Sequence, residues 1–222
     1  MSKYYISANQ LAEFYSATNS SKRRIINQQL NPNKLLIPWY QSAKSSIKKY
    51  LKNIDNTLPI EKGIELLLNK VPQNSRQNID RRVSIEALNQ LKSFAFPKLL
   101  RDIDFEIIQP TTKHISFNNV DIKVSPDVVL KGYYNGMVVY GAVKIHICKS
   151  KPFSLEQGNL VSTLIYKYLT KEVARKDEMV LPELCLCLDI FANRITQASV
   201  YNRSQVLAIK TICEQLKSLW AA

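Results

Sequence analysis

Residues 124–127, VSPD, and residues 138–148, VVYGAVKIHIC, decide the fold of this chain. The first stretch places a carboxylate, Asp127, directly after a proline and before an apolar run. The second is apolar and rich in β-branched residues, which is typical of a buried strand, and Lys144 lies in its middle. An ammonium group inside such a strand costs free energy unless it meets a carboxylate, a phosphate or water. Asp127 is therefore the expected partner of Lys144.

A turn is expected between these two stretches. They are joined by residues 131–136, KGYYNG, in which the glycines and the asparagine are typical turn residues. Two strands that are joined by a short turn pair in the antiparallel sense. The sequence therefore predicts a hairpin that brings Asp127 and Lys144 to one end of a sheet.

The size and hydrophobic content of the chain are those of a globular protein. Its 222 residues allow one domain, or a core domain with an appended one, and 45% hydrophobic content is enough for a packed core. No run of apolar residues comes near the length of about 18 that a membrane-spanning helix needs. The first residues lack the apolar stretch of a secretory signal. We therefore expect a cytoplasmic protein that does not enter the membrane.

The charge of the chain points to a polyanionic partner. Thirty-one Lys and Arg face eighteen Asp and Glu, which gives a formal net charge of +13. Such an excess raises the affinity for polyanions, most often DNA or RNA. Charge alone does not distinguish between the two nucleic acids, and it does not indicate whether a reaction follows binding.

Four amphipathic helices are predicted in the N-terminal third, over residues 7–18, from residue 22 onwards, over 39–53 and over 57–70. The chain is expected to break between the second and third of them, at Asn31-Pro32-Asn33. The polar, proline-containing stretch 71–78 is predicted as a loop and as a domain boundary. This divides the chain into a basic, helical N-terminal region, residues 1–78, and an α/β domain, residues 79–222.

A row of lysines follows the predicted helix over residues 39–53. Its members are Lys44, Lys48, Lys49 and Lys52, and they lie on a face other than the apolar one. Such a ridge suits the phosphates of a nucleic acid, although a row of charges on a helix is also what a solvated face looks like. We treat the ridge as a candidate nucleic-acid-binding surface.

The apolar pattern changes to that of strands after residue 97. The predicted elements are a helix over 84–96, strands over 103–108, 115–124, 128–130 and 138–148, a helix from 154, strands over 184–191 and 195–200, and a helix over 204–220. Ser154 and Gln157 have the spacing of a capping box. Short links demand antiparallel neighbours, whereas the helix from 154 permits a parallel crossover. The prediction is an α/β fold whose sheet is mixed, with parallel and antiparallel strands as in α+β proteins, and is covered by helices on both faces.

This order of elements, with Pro126-Asp127 on one strand and Lys144 on the next, resembles the PD-(D/E)XK nuclease superfamily over roughly residues 84–191. The resemblance implies a restriction-endonuclease-like αβββαβ core. In that superfamily the aspartate and an acidic residue two positions before the lysine bind Mg²⁺, and the lysine stabilises charge near the attacking water. It therefore implies a Mg²⁺-dependent nuclease in which Asp127 binds the metal and both Asp127 and Lys144 are catalytic.

One position departs from the pattern of that superfamily. An acidic residue is expected two positions before Lys144, on the same face of the strand, but this chain has Ala142 there. One carboxylate alone holds Mg²⁺ weakly, so another acid would have to replace the missing ligand. Glu156, in the first turn of the helix from 154, is one candidate, as a metal ligand and catalytic residue; its alternative role is to complement the helix N-terminus. Glu86 is a second candidate metal ligand, or simply an exposed helix glutamate.

Four further residues lie near the predicted site, and three of them have two interpretations each. Lys149 and Lys151 follow the strand and are suited to a phosphate near the cleft, or to solvent. His146 shares the face of Lys144, and a histidine in an apolar strand is more often a core residue than a base. Asp189 lies in an apolar strand beyond the expected catalytic end, and we interpret it as structural.

Two classes of function follow from these observations. The first is a Mg²⁺-dependent phosphodiesterase that acts on DNA or RNA. The second is a catalytically inactive, nuclease-like DNA- or RNA-binding protein, or a scaffold subunit of a bacterial assembly, with a protein partner or a second copy of itself. Within the second class, Ala142 and the net charge favour the DNA- or RNA-binding protein and not the scaffold. For the scaffold, Tyr133, Tyr134 and Trp220 are the candidate contact residues.

Overall fold

The computed structural model describes residues 3–31 and 39–220. The predicted break at Pro32 and Asn33 lies outside these residues. The helices are α1 Ala8–Ser16, α2 Asn19–Leu30, α3 Gln41–Tyr50, α4 Leu58–Asn69, α5 Ser75–Leu91, α6 Leu99–Asp102, α7 Leu155–Tyr168 and α8 Arg203–Trp220. The strands are β1 Tyr4–Ser7, β2 Phe105–Ile108, β3 His114–Phe117, β4 Val120–Lys123, β5 Val128–Tyr134, β6 Met137–His146, β7 Met179–Asp189 and β8 Arg194–Gln197.

Two mixed sheets organise the molecule. The larger has the strand order β2-β5-β6-β7-β8, in which β6 and β7 are parallel and the other neighbours are antiparallel. Helix α7 is the crossover between the two parallel strands, as the sequence predicts. The smaller sheet has the order β1-β4-β3. The predicted α/β class with a mixed sheet is therefore confirmed.

The central hairpin forms as predicted, with a tighter turn. Strands β5 and β6 run up to Tyr134 and from Met137, so that only Asn135 and Gly136 form the connection. Both have positive φ angles, 49° and 81°, as a two-residue hairpin turn requires. The predicted turn over residues 131–136 is therefore too wide, because β-branched and aromatic residues extend the ladder on both sides.

The stretch predicted as one strand over residues 115–124 is a hairpin of its own. Asn118 and Asn119, with φ angles of 45° and 61°, form the turn between β3 and β4. This hairpin belongs to the smaller sheet, where β4 pairs in parallel with β1. Strand β1 was not predicted, because its four residues are too few to show an alternating pattern.

Helices cover both faces of the central sheet. On one face, residues of α1, α7 and α8 pack against Val129, Ala142 and Cys187. On the other face, residues of α3, α4 and α5 pack against Val128 and Val143. Burial of these apolar faces, at about 25 cal/mol per Å², is the main force that holds the layers together. Each strand of the central hairpin is therefore fixed from both sides.

Two helix starts show how local signals fix the chain. Helix α7 has the predicted capping box, in which the Gln157 N–H donates to Ser154 Oγ over 3.3 Å and Gln157 Oε1 accepts from the Ser154 N–H over 2.8 Å. Helix α5 begins nine residues earlier than predicted, because Asn74 caps it by accepting from the Gln77 N–H. The proposed boundary after residue 78 falls inside this helix.

None of the helices in residues 3–31 and 39–220 combines the length and apolarity that a membrane span requires.

Two of the three aromatic residues proposed as scaffold contacts differ in their environment. Tyr133 is exposed, whereas the ring of Trp220 packs edge-on against Tyr4 and Tyr5 with centroids 5.9 and 5.3 Å away. Trp220 therefore closes a contact within the chain rather than offering a free aromatic surface.

Candidate functional site

A cavity of about 320 Å³ lies at the end of the central sheet where β5 begins and β6 approaches its last residue. Its walls come from α3, from the loop between β2 and β3, from the segment that precedes β5, and from α7. The lining residues are Lys44, Lys48, Ile108, Gln109, Pro110, Lys113, Ser125, Pro126, Asp127, Val129, Lys144 and Tyr168. The two residues on which the sequence analysis centres, Asp127 and Lys144, thus share one cavity.

Asp127 is held rigidly at the floor of the cavity. Its backbone N–H donates to the Val143 carbonyl over 2.8 Å, and its Oδ2 accepts from the Ile145 N–H, also over 2.8 Å. Its Oδ1 lies 2.9 Å from Lys44 Nζ and 3.5 Å from Lys48 Nζ. The side chain is only 8% exposed. Both carboxylate oxygens are therefore engaged, one by the sheet and one by helix α3.

Lys144 does not form the ion pair with Asp127 that the sequence suggested. Its Nζ donates instead to the Ser125 carbonyl over 2.6 Å. Burial lowers the pKa of Lys144 to about 8; Asp127 opposes this shift, and Lys44 and Lys48 add to it. Asp127 was expected to form an ion pair with Lys144. Instead, Lys44 and Lys48 of α3 are the ion-pair partners of Asp127.

Ser125 occupies a strained conformation at the cavity. Its φ angle is 41°, a left-handed value that is uncommon for residues other than glycine, and the proline that follows disfavours helical conformations at this position. The surroundings hold it from two sides: its N–H donates to the Lys113 carbonyl over 3.2 Å, and its carbonyl accepts from Lys144. Such strain persists where the surrounding contacts hold the backbone in the unfavourable conformation, and strained residues cluster at functional sites.

The strain at Ser125 gives a stability prediction. Ser125→Gly is expected to raise the free energy of unfolding by about 1 kcal/mol, because glycine adopts a positive φ without steric penalty. Ser125→Val is expected to lower it by about 2 kcal/mol, because a β-branched side chain clashes there. Urea denaturation measures both. Equal stabilities of the two variants would show that the backbone at this position is relaxed.

The cavity has an excess of positive charge. Four lysines line it, Lys44, Lys48, Lys113 and Lys144, against the single carboxylate of Asp127. Within residues 3–31 and 39–220 no other acidic residue lines it, and the remaining stretches of the sequence contain no Asp or Glu. Ammonium groups with a compact arrangement around an open space attract anions, phosphate above all.

The donor set around Asp127 does not fit Mg²⁺. This ion prefers carboxylates and waters in near-octahedral array. Here one carboxylate oxygen is shared by two ammonium groups, and Ala142 is fully buried in the apolar core. The chemistry of the cavity favours an anion over a divalent cation.

The two glutamates that were candidates to complete a metal site lie elsewhere. Glu86 forms an ion pair with Lys149 over 2.6 Å. Glu156 is exposed at the start of α7, where it accepts a hydrogen bond from Ser154 Oγ over 2.7 Å; this bond lowers the pKa of Glu156. Neither residue lines the cavity around Asp127. The structure therefore does not bring together Asp127, Glu156 and Glu86.

The other predicted phosphate-binding lysines are outside the cavity. Lys49 on α3 and Lys52, two residues after the end of α3, are exposed and do not line the cavity. Lys149 is engaged with Glu86, and Lys151 is exposed in the loop after β6. The ridge is thus divided: Lys44 and Lys48 face Asp127, and the remaining lysines face outward.

His146 and Asp189 have structural surroundings, as expected. The His146 ring stacks on Phe153 with centroids 3.6 Å apart, and its Nε2 donates to the Lys151 carbonyl over 3.0 Å. Asp189 is 3% exposed and accepts hydrogen bonds from the backbone N–H groups of Phe153 and Ala192. Both residues fix the loop that follows β6.

Two residues of the cavity were not found from the sequence. Lys113 lies in the loop before β3, and Tyr168 is fully buried at the end of α7 with its hydroxyl donating to the Thr112 carbonyl over 2.7 Å. This bond attaches the loop that contains Lys113 to helix α7. The only sequence signal was a lysine beside a turn-forming Pro-Thr-Thr segment, which is too common to single out.

Comparison with known proteins does not assign this chain to a family. No protein family matches the sequence, and no curated protein matches it. The function must therefore be inferred from the geometry and charge of the cavity around Asp127.

Proposed function

We propose that this protein binds nucleic acid and that the cavity around Asp127 receives a phosphate of its ligand. The observation that carries the proposal is that four lysines line one cavity with a single carboxylate, Asp127, which forms ion pairs with two of them. A phosphate that enters the cavity releases bound counter-ions and contacts ammonium groups that are already positioned around it. The net charge of +13 supports the same ligand class through long-range attraction.

The order of elements supports a nuclease-like origin for this binding protein. Helix α5, strands β2, β5 and β6, helix α7 and strand β7 follow one another in the order αβββαβ, and the four strands are neighbours in one sheet. The hairpin of β3 and β4 is an insertion between the first and second of these strands. Pro126-Asp127 directly precede the second of these strands, and Lys144 lies on the third. This arrangement supports a restriction-endonuclease-like core.

In this proposal Asp127 is a positioning residue rather than a metal ligand. Its carboxylate fixes Lys44 and Lys48 of α3 above the sheet, because its other oxygen is bound to the Ile145 N–H. The position that would hold a second acid is Ala142, which is packed in the core with no exposed surface. We therefore favour a catalytically inactive, nuclease-like DNA- or RNA-binding protein.

A Mg²⁺-dependent phosphodiesterase is the competing function, favoured by the meeting of Asp127 and Lys144 in one cavity. It is tested by incubating the purified protein with Mg²⁺ or Mn²⁺ and single- and double-stranded DNA and RNA. Cleavage that Asp127→Ala and Lys144→Ala abolish would establish the enzyme. Binding without cleavage, in the same buffers, is the result expected here.

Asp127→Asn separates the two functions most sharply. The amide keeps an oxygen for the Ile145 N–H but has no charge, so Lys44 and Lys48 lose their internal counter-ion. In metal-free buffer we expect a rise in affinity for a short DNA or RNA of about threefold to tenfold, as anisotropy measures it. A fall in affinity would contradict the positioning role. Asp127→Ala, which loses the backbone contact as well, serves as the comparison.

The affinity for nucleic acid is expected to fall as the pH rises from about 7 to about 9. The pKa of Lys144 is about 8, so this lysine is charged at the lower pH and loses its proton through this interval. Burial raises the pKa of Cys187 to about 12 and that of Tyr168 above its usual value, so both neighbours stay neutral. Lys144→Met should remove this part of the profile. A wild-type profile that matches that of the variant would contradict the prediction.

A further inference from the structure

We infer that the cavity around Asp127 takes a terminal phosphate, a phosphate monoester at the end of a DNA or RNA strand, in preference to an internal phosphodiester. The inference rests on the proposed nucleic-acid binding and specifies which part of the ligand enters. Three features of the cavity support it: its charge, the directions of its donors and its size.

The charge of the cavity matches a monoester better than a diester. An internal phosphate carries one negative charge, whereas a terminal phosphate carries about 1.5 to 2 at neutral pH. Four lysines line the cavity against one carboxylate, so an excess of positive charge remains after Asp127 is neutralised. A monoanion would leave more of this charge uncompensated than a dianion.

The lysines approach the cavity from different elements. Lys44 and Lys48 come from α3, Lys113 comes from the loop between β2 and β3, and Lys144 comes from β6. Each ammonium group has three N–H donors. A monoester offers three terminal oxygens to them. An internal phosphate offers two, because its other two oxygens carry the chain onward on both sides.

The size of the cavity favours a strand end. Its volume of about 320 Å³ is near the lower limit of the range of ligand pockets, about 300 to 1,000 Å³. It has room for a phosphate with the adjoining part of one nucleotide. Tyr168, which is fully buried and bonded to the Thr112 carbonyl, forms a rigid wall on one side.

The test compares oligonucleotides that differ only at one end. Single strands of DNA and RNA with a 5′-phosphate, a 3′-phosphate or hydroxyl groups at both ends are titrated with the full chain at about 0.15 M salt, and binding is read by anisotropy. We expect a phosphorylated strand to bind at least about tenfold more tightly than the hydroxyl strand. Lys113→Gln, at an exposed loop position, should reduce this preference severalfold, and Lys62→Gln, on α4, should not change it.

The outcomes distinguish failure of the inference from failure of the proposed function. Equal affinity for phosphorylated and hydroxyl strands overturns the terminal-phosphate assignment and leaves nucleic-acid binding intact. No measurable binding to any strand overturns the proposed function, and the inference with it. Competition with a mononucleotide and with inorganic phosphate identifies the source of the monoester. If the mononucleotide competes as well as the phosphorylated strand, the ligand is a free nucleotide and the assignment to a strand end is wrong.

Discussion

Replacing Lys44 and Lys48 together with glutamine is expected to weaken nucleic-acid binding about thirtyfold at about 0.15 M salt. Both ammonium groups face the cavity, at 2.9 and 3.5 Å from Asp127 Oδ1, and both remain partly exposed, with 34% and 44% of their side-chain surface accessible. A phosphate in the cavity would therefore contact both. Their loss also leaves Asp127 without a counter-ion, so that its charge repels the ligand.

The salt dependence of binding gives a second readout for the same variant. Each lysine that neutralises a phosphate contributes about one to the slope of log affinity against log salt concentration, so the slope should fall by about two. Lys62→Gln/Lys210→Gln, with the same charge change at exposed positions on α4 and α8, is the matched control and should change neither quantity appreciably. An equal loss in the control would mean that net charge, and not the cavity, determines the affinity.

The outer part of the lysine ridge can be tested in the same series. Lys49→Gln/Lys52→Gln removes two exposed charges, one near the end of α3 and one just after it, that form no ion pair with Asp127. A small effect would confine the phosphate contact to the cavity, whereas an effect as large as that of the Lys44/Lys48 pair would extend the binding surface along α3. Circular dichroism of each variant shows whether the helices are retained.

Asp189→Ala is expected to lower the free energy of unfolding by about 3 kcal/mol. The carboxylate is 3% exposed and accepts hydrogen bonds from the backbone N–H groups of Phe153 and Ala192. Alanine leaves both donors without an acceptor in a buried environment, and each such loss costs about 1 to 3 kcal/mol. Since a domain of this size is stable by only about 5 to 15 kcal/mol, the loss is a large fraction of the total.

Urea denaturation of two further variants sharpens this prediction. Asp189→Asn keeps one side-chain oxygen as an acceptor and should lose less stability than Asp189→Ala. Asp177→Ala removes an exposed carboxylate from the loop before β7 and should change the stability by less than about 0.5 kcal/mol. A loss after Asp189→Ala that is no larger than the loss after Asp177→Ala would show that the loop after β6 does not depend on this side chain.

The parts of the fold that were predicted correctly depend on short-range signals. Asn135-Gly136 followed by a run rich in β-branched residues predicts a hairpin, because the dipeptide fits a two-residue turn and the run fits a buried strand. The Ser154 capping box and the crossover helix are equally local. Since hairpin geometry then places Asp127 and Lys144 at one end of the sheet, their shared cavity follows from the sequence alone.

The partners of these two residues did not follow from the sequence. Asp127 contacts Lys44 and Lys48 because α3 packs across one face of the sheet, and nothing in the lysine spacing of that helix indicates which lysines turn inward. Lys113 reaches the cavity because Tyr168 fixes its loop. Such contacts join segments that are far apart in the chain, and only tertiary packing determines them.

The glutamates illustrate the opposite difficulty. Glu86 and Glu156 lie on the helices where the resemblance to the nucleases placed a replacement acid. Each has a partner close by, Lys149 for the former and the Ser154 hydroxyl for the latter, and neither lines the cavity. An acidic residue on a helix has several uses, so its sequence position alone cannot assign it to a metal.

The way α3 contributes to the cavity has a consequence for how the chain can be cut. A fragment that starts at residue 79 would contain Asp127 and Lys144 but neither Lys44 nor Lys48. It would also uncover the apolar side of the sheet that α3 and α4 shield, including Val128 and Val143. The proposed phosphate-binding cavity and the burial of this apolar side of the sheet thus both depend on the N-terminal helices, so we expect that neither part folds and functions alone.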